Sequence, residues 1–198
     1  MSTSAPGPRV TGLETEFGVL CAPAGPPEAT KSELPDVERA AALIFRHRPV
    51  GYRSTNLFLP NGGRLYLDIG AHPEYATAEC VSVRDLVAQD QAGRAILADM
   101  ATRAAAGLAQ EGTAVRFHLL ANNTDSAGHT YGCHESYSVP RSLLDATDDA
   151  SGASSETTMA VLTSFLATRP VLVGSGRPLA GGSEEPHQES PGAGEECA

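Results

Sequence analysis

The clearest pattern along the chain is a strict alternation of polar and apolar side chains over residues 64–68. Such alternation predicts a strand, here with Arg64, Tyr66 and Asp68 on one face and leucines on the other. An Asn-Gly pair, which is typical of tight turns, precedes it at residues 61–62. Because a short apolar segment lies before that pair, we expect an antiparallel hairpin. The strand ends at Gly70, and we expect a stiff turn at residues 72–74.

A second alternating segment near the N-terminus, within residues 9–20, carries Glu14 and Glu16 on one strand face. Carboxylates at this spacing repel each other, and a bound divalent cation would relieve the repulsion. An exposed edge strand protected by charged residues explains the same pattern equally well.

Periodicity of about 3.6 residues predicts two main helices behind these strands. Asp36 is placed to cap a helix that ends near Arg48. Ser82 begins a capping-box pattern for a longer helix that ends near Gly112. Alternation returns at residues 115–120, which predicts another strand. Residues 157–168 are expected to form a short helix, with Met159, Leu162, Phe165 and Leu166 facing inward, and residues 170–173 a buried strand.

Composition narrows the class of protein. The chain has 198 residues, enough for a domain with a sizeable core, and a net charge of −10, which disfavours nucleic acid and anionic membranes as partners. It has no apolar run of membrane-spanning length and no secretory signal, so we expect a cytoplasmic protein whose four cysteines are reduced. Residues 1–8 and the Gly/Pro/Ser/Glu-rich tail at 178–198 are expected to be disordered.

Polar side chains, most of them with oxygen atoms, crowd the segment around the central strand, where a short length of chain holds Tyr66, Asp68, His72, Glu74 and Glu79. This chemistry suits a hard cation such as magnesium and the phosphates that it carries. A solvated acidic strand edge is the alternative interpretation.

A third polar segment, residues 122–137, is punctuated by glycine. Its Asn122 and Asn123 offer amide donors for phosphate or carboxylate oxygens, and His134 and Glu135 could add metal ligands. The alternative for this segment is a hairpin loop held by side-chain turns.

Read together, segments 12–18, 61–80 and 122–137 resemble the Pup ligase (proteasome accessory factor A) family of glutamine synthetase-like carboxylate–amine ligases. The resemblance covers residues 9–177 and is carried above all by the sequences LYLDIGAHPEYATAEC and NNTDSAG. It implies an α+β fold, in which a curved, mostly antiparallel sheet bears acidic residues on its concave face and helices pack behind it. Family members are longer, so we expect the N-terminal part of the catalytic domain and an incomplete sheet, through truncation, a frameshift or divergence.

The resemblance also implies a reaction. Such a ligase uses ATP and magnesium to phosphorylate the C-terminal glutamate of the modifier Pup, and a substrate lysine then displaces the phosphate, which tags the protein for the proteasome. By resemblance, Glu14, Tyr66 and Glu74 would hold magnesium, with Glu16 and Glu135 as further candidates. Asp68 would be the catalytic base, and Arg64 would contact phosphate.

Two alternatives to a ligase stay open at this point. One is depupylase or deamidase activity on the same scaffold, and the other is a non-catalytic remnant that binds Pup or nucleotide. The interval from Glu14 to Asp68 is short, and Ile69-Gly70-Ala71 follows the aspartate. In both features the chain resembles the ligase branch of the family more than the depupylase branch.

Overall fold

The computed structural model describes residues 9–25, 33–49, 51, 53–121, 132–139 and 153–174, with the backbone alone for 153–158. Expectations for residues 1–8, for Asn122 and Asn123 and for 178–198 lie outside this set. The elements are listed in chain order: β1 (Thr11–Glu16), β2 (Gly18–Pro23), α1 (Val37–Arg46), β3 (Asn56–Phe58), β4 (Arg64–Asp68), β5 (His72–Ala76), α2 (Val83–Gln110), β6 (Val115–Leu120), β7 (Cys133–Tyr137) and α3 (Ala153–Val173).

The larger sheet has the strand order β3-β4-β5-β1-β7, and each neighbouring pair in it is antiparallel. Its register sets Glu74 opposite Tyr66 on one side and opposite Glu16 on the other. Glu14 lies opposite His134. Because residues opposite each other in a sheet project to the same face, this register gathers the acidic residues on one face.

The chain passes from this sheet into a second one at a single residue, Phe17. Strand β2 follows directly and pairs antiparallel with β6. Phe17 is 4% exposed, and its amide donates to the carbonyl of Pro73 at 2.9 Å. The two sheets therefore share one buried junction at the end of β1.

The opposite face of the larger sheet forms the hydrophobic core with the helices. Leu65 and Tyr75 of the sheet are almost fully buried, as are Ile44 of α1 and Leu97 of α2. Gly93 lets α2 approach, since a Cβ atom there would lie 2.2 Å from Cδ1 of Tyr75. The sheet that bears the polar face is thus supported by a packed hydrophobic layer on its other side.

Both predicted helix starts are confirmed by their caps. The Asp36 side chain accepts a hydrogen bond from the amide of Arg39 at 2.8 Å. The Ser82 hydroxyl accepts from the amide of Asp85 at 3.1 Å and donates to its carboxylate at 2.8 Å. These bonds satisfy amides that the first helical turn leaves without partners.

The turn expected at residues 72–74 is wrong, because these residues begin strand β5. The turn comes earlier, where Gly70 and Ala71 both have positive φ. Proline is tolerated in β5 because Pro73 makes no ladder bond to its partner Leu67. The amide of Leu67 donates to Thr55 instead, and the carbonyl of Pro73 accepts from Phe17.

The C-terminal expectations also need correction. Residues 170–173 continue α3 past Pro170 and do not form a buried strand; Val171, Leu172 and Val173 are 78–84% exposed. Met159, Phe165 and Leu166 are about half exposed, and of the residues predicted to face inward only Leu162 is less exposed.

Residues 133–137 form strand β7 and not the hairpin loop that was the alternative for this segment. None of the helices in the described ranges is long and apolar enough to cross a membrane.

Candidate functional site

Three carboxylates from two neighbouring strands, Glu14 and Glu16 of β1 and Glu74 of β5, form what we call the carboxylate cluster. One ligand atom each from Glu14, Glu74 and His134 lies within 4.8 Å of the other two. Their convergence follows from the alternation within β1 and from the pairing of β1 with both β5 and β7.

Glu74 is the most buried member, at 3% exposure. Burial is the main cause that raises the pKa of its carboxyl, and the negative charges of Glu14, Asp68 and Glu16 raise it further. A hydrogen bond with Tyr66 acts in the opposite direction. A buried carboxylate surrounded by other carboxylates lacks compensating charge, and this is an environment that a bound cation would stabilise.

Tyr66 bridges the two strands of the cluster. Its hydroxyl donates a hydrogen bond to Oε1 of Glu14, and it also interacts with Glu74. Burial first, and then these two carboxylates, raise the pKa of the phenol far above its usual value. The group therefore stays protonated in the metal-free protein, and its oxygen lies between the two carboxylates.

Both oxygens of Glu16 already have partners. Oε1 lies 2.5 Å from Nδ1 of His72, and Oε2 accepts from the amide of Gly132 at 2.7 Å. Glu16 is therefore held in place at the edge of the cluster, and its charge is partly compensated whenever His72 is protonated.

The structure does not bring Glu135 into the cluster. It lies opposite Leu13 in the register of β7 with β1, so its side chain projects to the other face of the sheet. There it accepts from Nη1 of Arg169 at 2.5 Å and from the hydroxyl of Tyr137. The neighbouring His134 takes the place in the cluster, with Nδ1 3.3 Å from Oε2 of Glu14. The sequence offered both His134 and Glu135 as ligands, and only the register of β7 with β1 decides between them.

Asp68 and Arg64 lie on the same face, two residues on either side of Tyr66. Asp68 ends β4, is exposed and pairs with His72 across the hairpin. Arg64 donates through Nε to Oδ1 of Asn56 at 2.9 Å, and its Cζ lies 4.2 Å from the centre of the Tyr66 ring. The face thus presents, along one strand, a guanidinium, a phenol and an accessible carboxylate.

A cavity of about 420 Å³ opens beside Glu14 and is lined by residues of β1, of β7 and of the segment that follows β5. Thr77 lines it and holds the backbone of β1, because its hydroxyl accepts from the amide of Leu13 at 3.0 Å.

The sequence of the chain is similar to those of known proteins. The family model described as Pup-ligase protein matches residues 9–191. The chain is 46% identical over 169 residues to the Pup–protein ligase of Jonesia denitrificans, and 46% identical over 172 residues to that of Xylanimonas cellulosilytica. These alignments cover 85% and 87% of this chain but 34% of each relative. The chain therefore spans about a third of the length of these relatives.

A solved structure agrees with this result. The crystal structure of the complex between prokaryotic ubiquitin-like protein Pup and its ligase PafA is similar to this chain, with a TM-score of 0.69 and 36% identity over 90% of this chain and 33% of that one. The expected α+β fold with a mostly antiparallel sheet is confirmed, and so is the family resemblance. By sequence and by fold, the chain belongs to the Pup-ligase family.

Proposed function

We propose that this chain carries the acidic part of the catalytic site of an ATP- and magnesium-dependent ligase, which joins the C-terminal glutamate of Pup to lysines of other proteins. The observation that carries the proposal is the burial of Glu74 against Tyr66 and beside Glu14 and Glu16, on the sheet face that also bears Asp68 and Arg64. The partners would be Pup and lysine-bearing proteins in the cytoplasm, on the pathway to the proteasome.

The donor atoms of the cluster fit magnesium. Glu14 and Glu74 offer carboxylate oxygens and Tyr66 a phenol oxygen, which are hard ligands that magnesium prefers. Glu16 and His134 would complete or support the site from its edges. When bound, the ion would supply positive charge that reduces repulsion between the phosphates of ATP and the glutamate that accepts the phosphoryl group.

Asp68 would act as the base. Lysine has an ordinary pKa of about 10.4 and reaches the site as an ammonium, which is not a nucleophile. The exposed Asp68 carboxylate would accept its proton, and the amine would then form a bond with the glutamyl carbonyl carbon as phosphate leaves. Arg64 would contact a phosphate group of the nucleotide. Asn122 and Asn123, which the sequence suggested for the same purpose, lie outside the described residues.

The test is a chimera, in which this chain replaces the matching segment of the Jonesia denitrificans relative. We expect the chimera to form Pup conjugates with ATP and magnesium, and Asp68→Asn to abolish conjugation while ATP affinity stays within about twofold, because the change removes a base and no proposed ligand. Asp99→Asn is the matched control, since Asp99 is exposed on α2 and pairs with Arg103.

Two outcomes would contradict the proposal. Equal loss of conjugation and ATP affinity in Asp68→Asn would show that Asp68 is not the base. A chimera that releases Pup from conjugates and forms none would instead show that the site acts on the isopeptide bond.

A further inference from the structure

Arg64 is a cation on an acidic face, yet it forms no ion pair with any carboxylate in the described part of the chain. It shares that face with Glu14, Glu74 and Asp68. Its Nε donates instead to the neutral side-chain oxygen of Asn56, at 2.9 Å.

The strand register explains how Asn56 reaches Arg64. Asn56 lies directly opposite Tyr66, and Phe58 directly opposite Arg64, so all four side chains project to the same face. The guanidinium carbon is 4.2 Å from the centre of the Tyr66 ring and 5.7 Å from that of Phe58. Two aromatic rings and one amide oxygen therefore fix the guanidinium between them.

This arrangement leaves the two Nη groups available. A guanidinium has five N–H donors, and Asn56 engages the one on Nε. No hydrogen bond from Nη1 or Nη2 of Arg64 is present among the described residues. The remaining pair of donors forms the fork that binds phosphate oxygens in a bidentate manner.

We infer that Asn56 is a positioning residue, which holds the Arg64 guanidinium out of the carboxylate cluster and directs its Nη groups to a phosphate of the nucleotide. The inference rests on the phosphate contact of Arg64 in the proposed function. Without Asn56, the side chain gains rotamers in which it pairs with Glu14 or Glu74, and these compete with phosphate binding. A neutral amide suits this purpose because it orients the guanidinium without neutralising its charge.

The experiment is a double-mutant cycle on the full chain, with ATP and magnesium as the probe in equilibrium titration. We expect Asn56→Ala to weaken ATP binding about three- to tenfold, because the change removes one hydrogen bond. The same change in an Arg64→Ala background should have no effect, because the group that Asn56 positions is absent. Asn61→Ala is the matched control: it removes side-chain hydrogen bonds with Tyr75, Gln89 and the amide of Gly63 in the turn between β3 and β4, and should leave ATP affinity unchanged.

Adenosine is the second probe, since it lacks phosphates. Asn56→Ala should leave adenosine binding unchanged, whereas equal weakening of adenosine and ATP would mean a merely structural role and would overturn the inference. If Arg64→Ala weakens ATP binding and Asn56→Ala does not, the inference fails and the proposed phosphate contact stands. If Arg64→Ala has no effect, or if the unmodified chain does not bind ATP, the proposed contact itself fails and the inference with it.

Discussion

Replacing Glu74 by glutamine should stabilise the metal-free protein and weaken its response to magnesium. The carboxylate is 3% exposed, and burial and the charges of Glu14, Asp68 and Glu16 raise its pKa. Glutamine keeps the shape and an acceptor oxygen for Tyr66 but removes the charge. The free energy of unfolding should therefore rise in EDTA, while the further rise that magnesium produces in the unmodified chain should be lost.

The expected magnitude follows from the spacing of the cluster. The ligand atoms of Glu14 and Glu74 lie within 4.8 Å of each other. Two like charges at that distance repel by about 3 kcal/mol at an effective dielectric constant of about 20, and by about 1 kcal/mol in bulk water. Because the Glu14 side chain is 30% exposed, the true value lies between these limits. We expect Glu74→Gln to raise the free energy of unfolding in EDTA by about 1–3 kcal/mol.

The assay is urea unfolding in EDTA and in magnesium, at several pH values. Since the raised pKa means that folded Glu74 holds its proton more tightly than the unfolded chain does, metal-free stability should fall as pH rises from about 4.3, the ordinary glutamate value, through the raised pKa. Glu74→Gln should remove that fall. Glu111→Gln, at the exposed end of α2, is the control and should change stability by less than about 0.5 kcal/mol. The reasoning is refuted if the variant is less stable in EDTA than the unmodified chain. It is also refuted if magnesium raises the free energy of unfolding of both proteins equally.

Two further predictions concern packing and activity. Gly93→Ala should lower the free energy of unfolding by about 2 kcal/mol, because its Cβ would overlap the buried ring of Tyr75. Gly107→Ala in the same helix should instead raise it by about 0.5–1 kcal/mol, since its Cβ would come no closer than 4.0 Å to His47. Equal effects of the two changes would contradict the packing argument. The chain alone should form no Pup conjugate with ATP, magnesium, Pup and a lysine substrate. Transition-state stabilisation needs every charge-neutralising group, and this chain spans 34% of its Jonesia relative. Formation of a conjugate that disappears with Asp68→Asn would overturn this expectation.

Local patterns predicted the acidic strands well. The alternation at residues 64–68 gave the bounds of β4 as the structure has them, and the period of two placed Glu14 and Glu16 on one face. Both results depend only on neighbours in sequence, where the geometry of a strand leaves few choices.

The pairing of strands that are distant in sequence could not be predicted from local patterns. Whether Glu135 or His134 joins the cluster depends on the register of β7 with β1, and a shift of one residue would exchange them. Pro73 was predicted to lie in a turn, but it lies in a strand. A proline interrupts a strand only where a neighbouring strand needs its missing amide, and that depends on how the strands pair. Similarly, the exposed end of α3 after Pro170 has the apolar composition of a buried strand, and composition alone does not reveal exposure.

The hairpin of β4 and β5 has a consequence for the order in which the site forms during folding. Tyr66 and Glu74 meet across this hairpin, whereas Glu14 is 52 positions from Tyr66 and 120 from His134. Hairpins form in about 1–10 μs, and pairing between distant strands is slower because a long loop must close first. Repulsion between Glu14 and Glu74 therefore arises only when β1 docks, late in folding. We expect a cation that bridges them to slow unfolding far more than it speeds folding, so that it would prolong the lifetime of the native state.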